Sequence, residues 1–181
     1  MATWPAVLDE LMRTRRAALV GYATLLTGDL ATAEDVVHDA IIKAFSRGRP
    51  FTHVKQADAY VRRTIVSVFI DKVRRDERFR GAAPLVAGPV EVPIAESFDD
   101  LDRALATLSP QLRAAIVLRY VDDLTVPQVA ERMGVALGTA KRYLHEAQAQ
   151  LAVVYRADLA LPDPDDDLTI SVVSHSKEVR P

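Results

Sequence analysis

The 181-residue chain contains no cysteine, so it forms no disulfide, binds no metal through thiolates and senses no oxidant through a thiol. It has no apolar run near the ~18 residues that cross a bilayer, and no transmembrane helix is expected. Residues 1–16 alternate apolar and charged side chains, which is not the pattern of a secretory signal. The expected location is therefore the cytoplasm. Positive charge is not in excess either: the net charge is −2, which argues against a protein that simply coats DNA. There is no glycine-rich phosphate loop, no histidine cluster at metal-ligand spacing and no nucleophile–base pair. Neither an enzyme nor a metal or cofactor site is expected, and His38, His53, His145 and His175 read as scattered surface or structural residues.

What is present is helical periodicity and an uneven distribution of charge. Arg62, Arg63, Lys72, Arg74, Arg75, Arg78 and Arg80 crowd one segment, and Asp158, Asp163, Asp165, Asp166 and Asp167 crowd another. Local fields of this kind can attract DNA although the whole chain is acidic. A first helix is expected from about Ala6 to Leu26, ended by Thr27-Gly28-Asp29. Ala33, Val36, Val37, Ala40, Ile41, Ala44 and Phe45 recur at helical spacing and predict a second, with Thr32 as N-cap and Asp35 at the capping-box position. A third is expected from Gln56 to about Arg78. Pro84, Pro89 and Pro93 then mark residues 81–97 as an extended linker. Helices resume near Phe98 with the stripe Leu101, Ala104, Leu105 and Leu108, followed by Ser109-Pro110 as the next helix start. Beyond Tyr155 the chain turns acidic and ends in a short β-prone run at 168–173, but no sheet is expected. The fold class read from this pattern is all-α, with two small helical domains, an extended linker and a C-terminal tail.

The segment from Leu124 to Leu144 reads as a helix-turn-helix. Thr125 and Gln128 form a capping box, Pro127 sits in the first turn, and Gly134 supplies the positive φ that the turn needs. Val129, Ala130 and Met133 face inward, and Val135, Ala140 and Leu144 pack the second helix back on the first. Thr139, Lys141, Arg142 and His145 are left facing outward, where a recognition helix meets the major groove. Ala136 lacks the side-chain oxygen of a good N-cap, and Glu146 repels phosphate.

On the third helix Val61, Ile65, Val68 and Phe69 face a core, while Arg62, Arg63, Ser67 and Arg74 point outward, followed by Arg75. Phe51, His53 and Tyr60 offer rings that could stack on unpaired bases, and basic residues interleaved with aromatics suit single-stranded DNA. The second helix presents Glu34, Asp35, His38, Asp39 and Lys43, a face suited to a basic protein partner or to solvent.

Taken in order, these segments resemble the extracytoplasmic-function sigma factors of the sigma-70 family. Leu25 to Ala40, Ala59 to Val66 and Asp71 to Arg75 resemble their second domain, and Leu105 to Arg113 with the helix-turn-helix resembles their fourth. The resemblance covers about Ala6 to Tyr155. It implies a sigma2-like domain over 1–80, a linker over 81–97, a sigma4-like domain over 98–156 and an acidic tail over 157–181. It further implies binding to core RNA polymerase, with Glu34, Asp35, His38, Asp39 and Lys43 on the clamp helices of the largest subunit and the fourth domain on the β flap. Phe51, His53, Tyr60, Arg62, Arg63, Ser67, Arg74 and Arg75 would open the −10 element and hold a flipped base, which costs a few kcal/mol to extrude. Thr125, Thr139, Lys141, Arg142 and His145 would read the −35 duplex. An anti-sigma protein is a further implied partner. Ser67 stands where the family commonly has Asn, and His145-Glu146-Ala147-Gln148 replaces an Arg-rich helix end, so altered −10 preference and an unusual −35 contact are expected.

Asp163 to Asp167 suggest a tail that mimics phosphates and folds onto Lys141 and Arg142, or one that only solubilises. Two other functions share these residues: a stand-alone helix-turn-helix regulator that binds an operator without polymerase, and an α-helical adaptor to which DNA is irrelevant.

Overall fold

Apolar side chains at three- and four-residue spacing fold the described residues into seven α-helices, α1 Trp4–Thr27, α2 Leu30–Phe45, α3 Val54–Arg80, α4 Asp99–Ala106, α5 Pro110–Ile116, α6 Val126–Met133 and α7 Leu137–Tyr155. The computed structural model describes residues 4–46, 51–80 and 99–155, and among these no strand occurs. The linker expected over 81–97, the acidic tail and the β-prone run at 168–173 lie outside the described residues.

Helices α1, α2 and α3 pack on one another as a three-helix bundle. Leu11, Leu19 and Leu26 of α1, the stripe Ala33, Val36, Val37, Ala40 and Ala44 of α2, and Val61, Ile65 and Val66 of α3 fill its core. The break after α1 falls at Gly28, whose φ of +82° is open to glycine at little cost. The start of α2 differs from the sequence expectation. Its N-cap is Asp29, whose carboxylate accepts from the Thr32 N–H at 2.7 Å, so the helix begins at Leu30 rather than after Thr32. A charged acceptor three residues upstream both fills an orphan N–H and complements the helix dipole, and it outcompetes a Thr32 cap.

The second unit holds α4 to α7. Leu105, Leu108, Leu112, Leu118, Val129, Met133, Ala140 and Leu144 are buried in it. Arg113 is buried among them, 7% exposed, and donates to the carbonyls of Leu105 at 2.9 Å and Leu108 at 3.1 Å. Its guanidinium thereby ties together the carbonyls of the last turn of α4 and of the loop that follows, the Leu105 carbonyl also accepting the Leu108 N–H at 3.1 Å. Burial pulls its pKa below the ordinary arginine value, and the Asp29 carboxylate opposes that shift. Helix α5 widens into a π-helical turn, Val117–Val121, closed by the Asp122 N–H on the Val117 carbonyl at 3.1 Å. Asp123 follows at φ +52°, a left-handed conformation that Asp tolerates better than most residues.

The two units touch, with α1 and α3 of the first against α5 and α6 of the second. The sequence left this orientation open.

Candidate nucleic-acid interface

The turn between α6 and α7 is made by Gly134 at φ +62° and ψ +43°, which matches the positive φ expected there. Gln128 Oε1 accepts from the Thr125 N–H at 2.9 Å and from its hydroxyl at 3.1 Å, so the start of α6 is tied as the capping pattern predicts. Met133, Ala140 and Leu144 lock the two helices together. Lys141, Arg142 and His145 stand exposed on the first half of α7, and Thr139 is half-buried at its start. This geometry can enter a major groove. Arg142 is held back in two ways: it pairs with Glu146 at 3.8 Å, and its guanidinium lies 5.1 Å from the Tyr143 ring centroid.

On α3 the expected division of faces is present. Val61, Ile65 and Phe69 are buried, Arg63, Ser67, Arg74 and Arg75 are exposed, and Arg62 is half-buried. Arg62 pairs with Asp58 at 3.7 Å and sits 4.9 Å over the Tyr22 ring. The aromatic expectation needs one correction. Phe51 is only 2% exposed, its ring 4.9 Å from Phe45 and 5.6 Å from Tyr60. A ring sealed between two others is a core element and offers no face to a base as it stands. Tyr60 is half-buried at the edge of this stack, and His53 is exposed, its Nδ1 accepting the Gln56 N–H at 3.2 Å beside the start of α3.

Helix α2 turns Asp35, His38 and Asp39 outward. Glu34 pairs with Arg16 at 3.0 Å and Lys43 with Asp71 at 3.7 Å, so these two also brace α2 against its neighbours. Leu30, 59% exposed, and Ile42, 52% exposed, lie on the same helix. An outward face carrying both carboxylates and unburied aliphatic side chains has the composition of a protein-docking surface.

Comparison with known proteins assigns the two units. The sigma-70 region 2 profile matches residues 11–79, and the sigma-70 region 4 profile matches residues 98–151. The RNA polymerase sigma-E factor of Streptomyces coelicolor is 31% identical, over 87% of this chain and 88% of that protein. The ECF RNA polymerase sigma factor SigL of Mycobacterium tuberculosis is 34% identical, over 78% of this chain and 85% of its own length. The chain belongs to the extracytoplasmic-function sigma factors of the sigma-70 family. It is an alternative sigma factor, directing transcription initiation. A solved structure of the sigma factor RpoE from Bartonella quintana, in complex with the anti-sigma factor NepR, superposes with a TM-score of 0.58 at 22% identity, covering 83% of this chain and 97% of that one; it supports the fold.

Sequence reasoning missed the contacts that join the sigma factor's two domains. The Tyr22 hydroxyl donates to Asp122 Oδ2 at 2.7 Å, and Arg74 Nη2 donates to the Met133 and Gly134 carbonyls, each at 2.8 Å. Burial first, and then the Asp122 carboxylate, push the Tyr22 phenol far above its ordinary pKa, so it is protonated and donates this bond at neutral pH. Tyr22 and Asp122 are one hundred residues apart and carry no local signal of pairing. Among the described residues no helix is long and apolar enough to cross a membrane.

Proposed function

We propose that this sigma factor divides initiation among three surfaces. Residues 1–80 form the domain that binds core polymerase and the −10 element, residues 98–156 read the −35 element, and residues 81–97 are the linker. Asp35, His38 and Asp39, with Glu34 and Lys43 at the rim, dock on the clamp helices of the largest subunit, and the second unit rests on the β flap. Arg62, Arg63, Ser67, Arg74 and Arg75 hold the opened −10 strand, with Tyr60 and His53 beside the extruded base. Thr125, Thr139, Lys141, Arg142 and His145 engage the −35 duplex. An anti-sigma protein is a further partner, and the site of action is the cytoplasm. The observation that carries this reading is the separation of an exposed acidic face on α2 from exposed basic positions on α3 and α7, in a chain whose relatives are sigma factors.

The first test is binding of the purified chain to core polymerase without DNA. Tight stoichiometric binding is expected. Asp35→Ala with Asp39→Ala should weaken that binding roughly tenfold or more, the loss of two charge contacts, and leave promoter opening by the bound complex intact. Arg63→Ala should do the reverse, slowing opening while polymerase binding is unchanged. Equal effects of both variants on both steps would overturn the division. Binding of the free chain to an operator, with no affinity for polymerase, would favour a stand-alone regulator.

A further inference from the structure

The seam between the two domains, where Arg74 meets the carbonyls at the end of α6, leaves Arg142, His145 and Glu146 of α7 exposed. The inner side of α7 is the stripe Ala140, Leu144, Ala147 and Leu151, all of them buried. At ~100° per residue Arg142 falls opposite that stripe, and His145 and Glu146 follow one turn on, to either side of it. Glu146 therefore projects with Arg142 toward whatever the helix reads. It is the only carboxylate of α7. At 3.8 Å its pair with Arg142 is a charge contact, longer than a hydrogen bond, and its atoms can be traded for those of a base.

A carboxylate in that place needs a reason. An exposed pair four residues apart adds little to stability, and a negative charge near phosphates costs affinity. Carboxylate oxygens only accept hydrogen bonds. In the major groove guanine and thymine offer acceptors, and the base edges that donate are cytosine N4–H and adenine N6–H. Adenine sets its donor beside the N7 acceptor, which suits an amide and repels the second oxygen of a carboxylate. Cytosine offers its donor without such a neighbour, and the acceptors of its pair are guanine N7 and O6, which a guanidinium takes bidentately. A carboxylate beside a guanidinium is thus the complement of a cytosine beside a guanine. Four residues span roughly 6 Å of helix axis, within two base-pair steps at ~3.4 Å each, so Arg142 and Glu146 reach neighbouring pairs.

We propose that Glu146 sets the base preference of this chain's −35 contact: it accepts from cytosine N4–H, within two steps of a guanine held by Arg142, and it rejects duplexes with guanine, thymine or adenine in the cytosine's place. The inference rests on the assignment of α7 to the −35 duplex. Rejection supplies most of the discrimination, because a carboxylate facing N7, O6 or O4 meets an acceptor with nothing to donate. In the free protein the two side chains neutralise each other, and a matching duplex gives each a partner of the right polarity.

The test is selection from a pool of random DNA duplexes, by the full chain bound to core polymerase and by the full chain alone. The unmodified protein, Glu146→Gln and Glu146→Ala are compared, and each recovered motif is then varied one base pair at a time in a binding titration. The unmodified protein should recover a cytosine within two steps of a guanine and prefer it about tenfold over thymine. Glu146→Gln should move that preference to adenine, whose N6 and N7 an amide pairs bidentately. Glu146→Ala should gain most on the duplexes that lack the cytosine, so that the four bases there come within about twofold of one another while the guanine position is kept. A fold role for Glu146 would move none of these preferences. Polymerase-bound chains that recover one motif, unchanged by either substitution, overturn the base assignment and leave the sigma-factor reading intact. A chain that does not bind core polymerase, yet alone recovers the cytosine motif and shifts it as above, overturns the sigma-factor reading and upholds the base assignment. A pool that yields no motif with either form overturns the base assignment.

Discussion

Arg113 shows how one residue can be misjudged by its type. In the sequence it only closes the segment, Leu105 to Arg113, that resembles the fourth domain, and nothing there marks it as buried. In the structure it is among the few buried polar residues, and its fork satisfies the carbonyls of Leu105 and Leu108. Arginine suits this because its planar donors meet several acceptors at once, and its charge is retained even when burial lowers its pKa. Arg113→Met should therefore destabilise the fold by about 3 kcal/mol, since it removes the buried donors to the Leu105 and Leu108 carbonyls. Arg113→Lys should fall between, having the charge without the fork. Urea unfolding followed by circular dichroism checks this, and a loss under about 1 kcal/mol for the methionine variant would show that water replaces the guanidinium. Phe51 is the opposite case. Its ring near a basic helix suggests base stacking, but apolar burial between Phe45 and Tyr60 takes it into the core.

Elements were more legible than residues. The stripes that predicted α2, α3 and the helix-turn-helix are the faces that are buried, because a helix in water must hide its apolar side and leaves its charged side out. Ends were less legible, since Asp29 and Thr32 are both good caps and only the packed turn selects between them. The recognition helix carries a prediction of its own. Glu146 lies one helical turn beyond Arg142 and pairs with it at 3.8 Å, both side chains being largely exposed. The pair contributes little to stability, but it occupies the guanidinium and adds a negative charge near the expected phosphates. Glu146→Ala should raise affinity for a −35 duplex a few-fold at low salt, with thermal stability nearly unchanged. Lys141→Ala with Arg142→Ala should lower affinity and reduce the salt slope by more than about one unit. A slope unchanged in the double variant would remove α7 from the DNA-binding surface.

At the scale of the whole molecule, the seam could not be read from sequence because its partners are ordinary where they stand. Tyr22 looks like a core aromatic of α1, Asp122 like a loop carboxylate and Arg74 like one cation in a basic run; only the fold brings them together. A seam that must part before both elements are engaged makes promoter affinity the product of two quantities, the intrinsic affinity of the open form and the fraction of molecules that are open. These respond differently to salt, since phosphate contacts release counterions and the Arg74–carbonyl and Tyr22–Asp122 contacts do not. Tyr22→Phe changes only the open fraction, so its plot of log affinity against log salt should lie above that of the unmodified protein and parallel to it. Arg74→Ala removes a seam contact and, on the proposed assignment, a phosphate contact as well. Its plot should be shallower by about one unit and should cross the unmodified line, weaker at low salt and stronger at high salt. Titration of a full promoter with the polymerase-bound protein across a salt series measures both. Parallel lines for both variants would make Arg74 a seam residue only, and a line for Arg74→Ala that stays below at every salt would make it a DNA contact only.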